Sequence, residues 1–348
     1  MIHGSTGRRL VLPIGIASLT FLVAFLALTA LGVGGSGGSR TAQAARRTAP
    51  RLPSAIQAYS EADAKRNGAA GQDGAPPPPD LVPLPSAAFN RPIAQYRSYA
   101  EGRLRAMLGS LATLASALRA NDLPAARAAW EAAYAQYLRL GAVYGAFGTL
   151  NDAIDGNPGG LPGGAGDPHF TGLHRLELGL FAGSAPSRRL LGAAARLTAD
   201  VRLLLRRLPG ERITPLEYAT RTHEILEDAI RDLLSGVDVP WSHAGVLSTA
   251  AGVDATEELI ATLRPLLDGR EDAVEVADST LLRLDRVLGS LRRAHHGRWP
   301  TLAQLGQDEA ELLNGAVGAA AEALDQVPGA LETKLPPPIP ALPGSSSR

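Results

Sequence analysis

His174 and Glu177 are well placed to act together in this sequence, because they stand three positions apart. On a helix that spacing puts both side chains on one face, where an imidazole and a carboxylate can supply two ligands to a metal ion. Their neighbours Leu173, Leu176 and Leu178 leave almost no polar face, which predicts a buried helix. A buried carboxylate beside an imidazole is costly unless it is paired or bound to a cation, so the pattern predicts a structural ion pair or a metal-ligand pair.

A second ionisable group, residues 223–228, begins like the His-Glu-x-x-His motif of zinc peptidases. Glu227 stands where that motif needs its second histidine, so a peptidase of this type would lack one ligand. His223 falls on the apolar seam of its predicted helix and is expected in the core. Glu224 lies at the edge of that seam, from where its carboxylate can reach a neighbouring helix.

Composition limits the chemistry of any site in this chain. Among the 348 residues there is no cysteine, which excludes disulfides, iron–sulfur clusters, thiolate metal sites and cysteine nucleophiles. A metal must therefore be held by histidine and carboxylates. The 34 basic and 34 acidic residues balance, which argues against a nucleic-acid partner.

Helical periodicity runs through nearly all of residues 89–330, and these helices must position the candidate residues. Apolar residues recur at spacings of three and four, as in the seam Leu190, Ala194, Leu197, Val201 and Leu204. Helix starts are predicted at Asp122 and at Thr214, where a capping box and a proline coincide, and stops at Gly210 and Gly236. The pattern predicts an all-α fold of two packed helix bundles, interrupted by a long Gly- and Pro-rich loop between Phe147 and Phe170.

The N-terminus predicts export. Residues 10–33 are almost wholly apolar, and such a helix would span about 36 Å, enough to cross a bilayer core of about 30 Å. Arg8 and Arg9 precede it, which suits a cytoplasmic N-terminus, and Ala42-Gln43-Ala44 is a possible cleavage site. Residues 1–37 are thus a signal peptide or a membrane anchor, 38–88 a disordered tether and 331–348 a disordered tail.

Three segments carry a resemblance to a known family. Residues 172–177, Gly-Leu-His-Arg-Leu-Glu, resemble the G-x-H-x-x-E motif of the imelysin and EfeO/EfeM-like family. Residues 142–155, which end in Asn-Asp-Ala-Ile-Asp, look like the segment that precedes that motif. The helix at 223–228 and the segment Trp241-Ser242-His243 resemble the family's later helices, so the resemblance covers roughly residues 89–330.

The resemblance implies a fold, a site and a role. The fold would be two pseudo-symmetric helical bundles, and the metal ligands would be His174, Glu177, Asp155 and Glu224. EfeO-like members are extracytoplasmic, non-enzymatic components of iron uptake systems that work beside a membrane permease and a secreted haem peroxidase. The implied cargo is therefore iron, although a His/carboxylate site also suits Zn, Mn or Cu.

Two features of the sequence differ from the family pattern, and two other functions are also consistent with the sequence. Residues 34–88 are too short and Pro-rich for the cupredoxin domain that many EfeO proteins carry, and the loop before the motif is mostly Gly and Pro where the family's is acidic. One alternative is a metallopeptidase-like hydrolase with Glu224 as its base. The other is a membrane-tethered polysaccharide- or protein-binding module in which the His174–Glu177 pair is structural.

Overall fold

Helices make up nearly all the regular structure in the computed structural model, which describes residues 84–183, 187–269 and 271–331. Those ranges contain no β-strand, which confirms the predicted all-α fold. Short π-helical turns at Leu178–Ala182 and Ala229–Leu233 directly follow the helices that end at Glu177 and Asp228. In chain order the helices are α1 (Asn90–Arg119), α2 (Leu123–Leu138), α3 (Thr149–Asp155), α4 (Gly172–Glu177), α5 (Ser187–Arg207), α6 (Pro215–Asp228), α7 (Gly245–Leu267), α8 (Glu271–Ala294), α9 (Gln307–Leu324) and α10 (Gln326–Ala330).

Helix starts follow the capping residues read from the sequence. The Thr214 hydroxyl accepts a hydrogen bond from the Glu217 backbone N–H at 3.2 Å, and the Glu217 carboxylate accepts one from the Thr214 N–H at 2.9 Å. Asp122 caps α2 by accepting from the Ala125 N–H at 3.0 Å. Each such cap stabilises its helix by about 1 kcal/mol and fixes the residue at which the helix begins.

The helices pack in two groups that share one member. Helix α1 packs against both α2 and α5, and α6, α8 and α9 form the second group with α7. Helix α7 also packs against α1 and α2, and the buried apolar side chains of the described residues form one continuous core. The described chain is therefore a set of packed helix bundles, whereas a pseudo-symmetry between two bundles stays a prediction.

The predicted terminal segments lie largely outside the described residues. This holds for the signal or anchor at 1–37, for the tether at 38–88 up to residue 83, and for the tail after Leu331. Within the described ranges, no helix is both long enough and apolar enough to cross a membrane.

Glu257 on α7 interacts with Asp285 on α8, and this pair makes the fold sensitive to pH. Burial, followed by the charge of Asp285 and a hydrogen bond with it, raises the pKa of Glu257 from 4.5 to about 7. The folded state keeps a proton that the unfolded chain releases, so stability falls as pH rises from about 4.5 to about 7. We expect Glu257→Gln, which resembles the protonated form, to raise the thermal midpoint near pH 8 and to leave it unchanged near pH 4.

Thermal unfolding followed by circular dichroism across that pH range measures this effect. The matched control is Glu322→Gln, at an exposed glutamate of α9, which should leave the wild-type pH dependence intact. If the Glu257→Gln profile runs parallel to the wild-type profile, Glu257 does not retain its proton in the folded state.

Candidate metal centre

His174 is fully buried, and both nitrogens of its ring face carboxylates. Nδ1 lies 3.0 Å from Glu177 Oε2 on the same helix turn. Nε2 lies 3.3 Å from Asp155 Oδ1 and 3.6 Å from Asp238 Oδ1. The Tyr134 ring contacts the imidazole in an edge-to-face arrangement, with centroids 5.6 Å apart. The structure thus brings together three of the four predicted residues and adds Asp238.

Glu177 is fully buried and fully hydrogen-bonded. Its Oε1 accepts from the Trp241 N–H at 3.2 Å, from the Ser242 N–H at 2.8 Å and from the Ser242 hydroxyl at 2.8 Å. Its Oε2 contacts His174 Nδ1, so Glu177 ties α4 to the segment that leads into α7 and orients the imidazole. Carboxylates that hold the second nitrogen of a metal-binding histidine play this orienting role.

Two atoms at the centre of the cluster have no hydrogen-bond partner among the described residues. These are Nε2 of His174 and Oδ1 of Asp155, both inaccessible to solvent. They lie 3.3 Å apart, within ion-pair distance but without the alignment of a hydrogen bond. Unsatisfied buried polar atoms are rare and destabilising, so this facing nitrogen and oxygen are a candidate position for a ligand.

The electrostatics of the cluster favour a cation. Burial lowers the pKa of His174, but the carboxylates of Asp155, Glu177 and Asp238 outweigh it and raise that pKa to about 10. Burial raises the pKa of Asp155 to about 6, against the opposing effect of His174. At neutral pH the imidazole is therefore a cation among acids, and a metal ion that binds Nε2 must replace its proton.

Asp238 is held in place by side chains from two other parts of the chain. Its Oδ2 accepts a hydrogen bond of 2.6 Å from the hydroxyl of Tyr134 on α2. Its Oδ1 accepts from the amide of Asn157, which follows α3. Sequence reasoning missed Asp238 because it lies in an irregular segment without periodicity; the only signal is its closeness to Trp241-Ser242, which the family resemblance includes.

Gly172 sets the distance between α3 and α4. Its φ of +82° lies in the left-handed region, and a Cβ at this position would fall 2.3 Å from the backbone oxygen of Ile154. The first turn of α4 therefore rests on the last turn of α3, which places His174 beside Asp155. The indole of Trp130 on α2 strengthens this junction by donating to the Leu173 carbonyl at 2.9 Å.

The long loop before α4 is ordered by its own contacts. It contains two 3₁₀ turns, Pro158–Gly160 and Gly164–Gly166. The carboxylate of Asp167 accepts from the backbone N–H groups of Gly163 at 3.0 Å and His169 at 2.8 Å. Asp167 thus shapes the loop, and Asn157 is the loop residue that reaches the cluster.

The cluster forms one wall of a cavity of about 460 Å³, which we call the site cavity. Two larger cavities, of about 870 and 1070 Å³, are lined by none of the cluster residues. The polar side chains that line the site cavity are those of Asn151, Asp155, Arg221, Asp228, Arg231, Asp232 and Asp238, together with Tyr144.

Glu224 is not brought to the cluster. Its Oε2 accepts from Arg221 Nη1 at 3.2 Å, and Glu224 lines a separate cavity of about 370 Å³. His223 on the same helix is largely buried and lies 3.1 Å from Glu227 Oε1 and 3.7 Å from Asp325 Oδ1. Both residues of this helix therefore pair away from His174.

Among the described residues, no three or more His, Asp and Glu side chains are grouped so that they could hold a metal ion as they stand. The nearest arrangement is His174 with Asp155 and Asp238, in which the acids face the ring itself. Metal binding there requires the ring to lose its proton and the two carboxylates to turn toward a shared ion.

Comparison with known proteins places the chain in a family. Residues 92–327 match the model of the family described as Imelysin. The chain is 26% identical over 264 residues to "Iron uptake system component EfeO" of Yersinia pseudotuberculosis. This alignment covers 76% of this chain and 68% of that protein. It is 25% identical over 240 residues to the protein of the same name from Escherichia coli, covering 69% of this chain and 63% of the relative. The match thus spans about two thirds of the length of these relatives. The chain belongs to the imelysin family, as the motif at residues 172–177 predicted.

Proposed function

We propose that this chain is the extracytoplasmic metal-binding component of an iron uptake system. The proposal is supported by the relatives named as iron uptake components and by the buried cluster around His174. The observation that carries it is the pair of buried atoms without a hydrogen bond, His174 Nε2 and Asp155 Oδ1, inside a cluster of acids. A cation at this position would satisfy both atoms and replace the proton of the ring.

The proposed ligands are Nε2 of His174 and the carboxylates of Asp155 and Asp238. Glu177 keeps the imidazole oriented through Nδ1 and contacts the metal only indirectly. Glu224, which the family resemblance also implies as a ligand, is left out because it pairs with Arg221. One imidazole with carboxylate oxygens suits iron, and also Zn, Mn or Cu, since ligand type alone does not select among these ions.

The proposed route takes iron from the cell envelope to a membrane permease, with a secreted haem peroxidase as a further partner. Residues 1–37 would serve as the membrane anchor or as a cleaved signal, and 38–88 as the tether. The metal-collecting domain would span residues 89–330, which contains the family match, and 331–348 would be the tail. Membrane fractionation distinguishes an anchored chain from a secreted one.

The chain is proposed not to be an enzyme. A metallopeptidase needs a metal with an open position and a general base beside it. The base suggested by sequence, Glu224, faces Arg221 and lines a different cavity from Asp155 and Asp238.

Metal analysis of the purified full-length chain tests this proposal. After incubation with Fe²⁺ without oxygen and removal of free metal, we expect about one iron per chain, released by a chelator. Titration with Fe²⁺, Zn²⁺, Mn²⁺ and Cu²⁺ gives the order of affinities. Absence of tight binding of all four ions would overturn the proposal, and cleavage of casein that is lost in Glu224→Ala would support the peptidase alternative.

A further inference from the structure

Four aspartates line the site cavity, and they differ in exposure. The side chains of Asp155 and Asp238, which face His174, are 16% and 19% exposed. Those of Asp228 and Asp232 are 34% and 32% exposed, and we call them the outer aspartates. The cavity therefore has an inner acidic end, with its unpartnered buried atoms, and an outer acidic end nearer to solvent.

The outer aspartates are bridged by one arginine. Arg231 Nη2 lies 2.7 Å from Asp228 Oδ1 and 2.6 Å from Asp232 Oδ2, and its Nε donates to Asp232 Oδ1 at 3.0 Å. The guanidinium thus occupies the position between two carboxylates that a metal cation would take. It also neutralises charge that would otherwise attract cations to the cavity.

A π-helical turn creates this arrangement. Asp228 ends α6, and the following turn at Ala229–Leu233 contains both Arg231 and Asp232. The Leu234 N–H bonds to the Ala229 carbonyl at 2.8 Å, five residues back, so the turn is wider than an α-helical one. Turns of this kind are uncommon in proteins, and those that occur often lie at functional sites.

The two arginines of the cavity differ in how firmly they are held. Arg221 is 17% exposed, and besides Asp228 and Glu224 it donates to the Gly141 carbonyl at 2.8 Å. Arg231 is 67% exposed, and its guanidinium bonds to the outer aspartates. Among the described residues the Arg231 guanidinium bonds to these two carboxylates, so a cation that binds the same carboxylates competes directly with it.

We propose that Arg231 is an electrostatic gate: a metal cation displaces it, binds transiently between Asp228 and Asp232, and passes from there to His174, Asp155 and Asp238. The inference rests on the proposed function of the inner cluster and adds a route and a rate-controlling residue. When the inner site is loaded, Arg231 returns and also slows release. The gate therefore controls the rates of binding and release more than the affinity.

Stopped-flow kinetics of the full-length chain with Fe²⁺, without oxygen, tests the gate. Trp130 stacks on Tyr134, whose ring contacts His174, so tryptophan fluorescence reports on the inner cluster. In Arg231→Gln, we expect the association and dissociation rate constants both to rise about tenfold, with Kd changed less than about threefold. The rise in association rate should shrink as ionic strength increases.

The matched control is Arg264→Gln, which removes the same charge from an exposed arginine. Arg264 pairs with Asp278 at 2.8 Å, and neither residue lines the site cavity. Its rate constants should match the wild type. A similar rise in Arg264→Gln would attribute the effect to net charge and overturn the gate.

Asp232→Asn separates the outer position from the gate itself. In the Arg231→Gln background we expect it to cancel the acceleration, because the outer position then lacks one of its two carboxylates. An unchanged association rate in Arg231→Gln, with intact equilibrium binding, would overturn the gate alone. A wild-type chain that binds no Fe²⁺ at equilibrium would overturn the proposed function, and the gate with it.

Discussion

His174→Ala is expected to lower the affinity of the full-length chain for Fe²⁺ by more than about a hundredfold, since loss of an outer-shell partner alone costs a metal site about 10- to 100-fold. The substitution removes Nε2, the nitrogen that faces both Asp155 and Asp238. It also removes the group that Glu177 orients. Equilibrium titration with Fe²⁺ under anaerobic conditions measures the effect.

Asp238→Asn and Glu224→Gln decide which acid completes the site. Each substitution removes one negative charge and keeps the shape of the side chain. We expect Asp238→Asn to weaken Fe²⁺ binding at least about tenfold, because Asp238 Oδ1 lies 3.6 Å from Nε2 of His174. Because Glu224 pairs with Arg221, we expect the Fe²⁺ affinity of Glu224→Gln to stay within about twofold of the wild type. If Glu224→Gln weakens binding as much as Asp238→Asn, the ligand set implied by the family resemblance is the correct one.

A loss of folding must be kept apart from a loss of binding. Removing one partner of a buried ion pair destabilises a protein by about 3–5 kcal/mol, and His174→Ala removes the imidazole that lies 3.3 Å from Asp155 Oδ1. His174→Gln keeps most of the volume and a polar group, so it should unfold at a higher urea concentration than His174→Ala. Both variants should nevertheless fail to bind Fe²⁺ tightly, because an amide is a poor replacement for an imidazole ligand. Tight binding by a folded His174→Gln would contradict the proposed role of Nε2.

Local signals predicted most of the fold. The capping box at Thr214 and the cap at Asp122 were readable because each depends on residues within one helical turn. The spacing of His174 and Glu177 predicted their contact for the same reason. The π turns after α4 and α6 were not predicted, since i→i+5 bonding leaves no periodic pattern over five residues.

The site contacts between residues far apart in the sequence could not be predicted from the sequence. Asp238 reaches His174 only because Tyr134 and Asn157, from distant parts of the chain, hold its carboxylate. The position of Glu224 shows the limit of helical periodicity: the pattern places a residue at the edge of a seam but does not identify its neighbour. Here the neighbour is Arg221, one turn earlier on the same helix, and Glu224 itself lines a different cavity from Asp155 and Asp238.

Gly172→Ala is expected to destabilise the fold by about 2–5 kcal/mol, through backbone strain and overpacking. A Cβ would lie 2.3 Å from the Ile154 oxygen, 2.6 Å from the Ile154 carbonyl carbon and 2.7 Å from the Ala153 oxygen. These are backbone atoms of α3, which cannot move aside as a flexible side chain can. The φ of +82° adds strain for any residue with a Cβ.

The same substitution should damage the site, because the contact at Gly172 sets the separation of His174 and Asp155. Urea unfolding measures the stability, and Fe²⁺ titration of the folded fraction measures the site. Gly192→Ala is the matched control, because Gly192 is exposed on α5 and a Cβ there would meet no described atom within 4 Å beyond its own helix backbone and chain neighbours. Alanine at that position should stabilise the helix by up to about 1 kcal/mol. Equal urea midpoints for Gly172→Ala and the wild type would mean that α4 can move away from α3, and the close approach would then not be what positions His174.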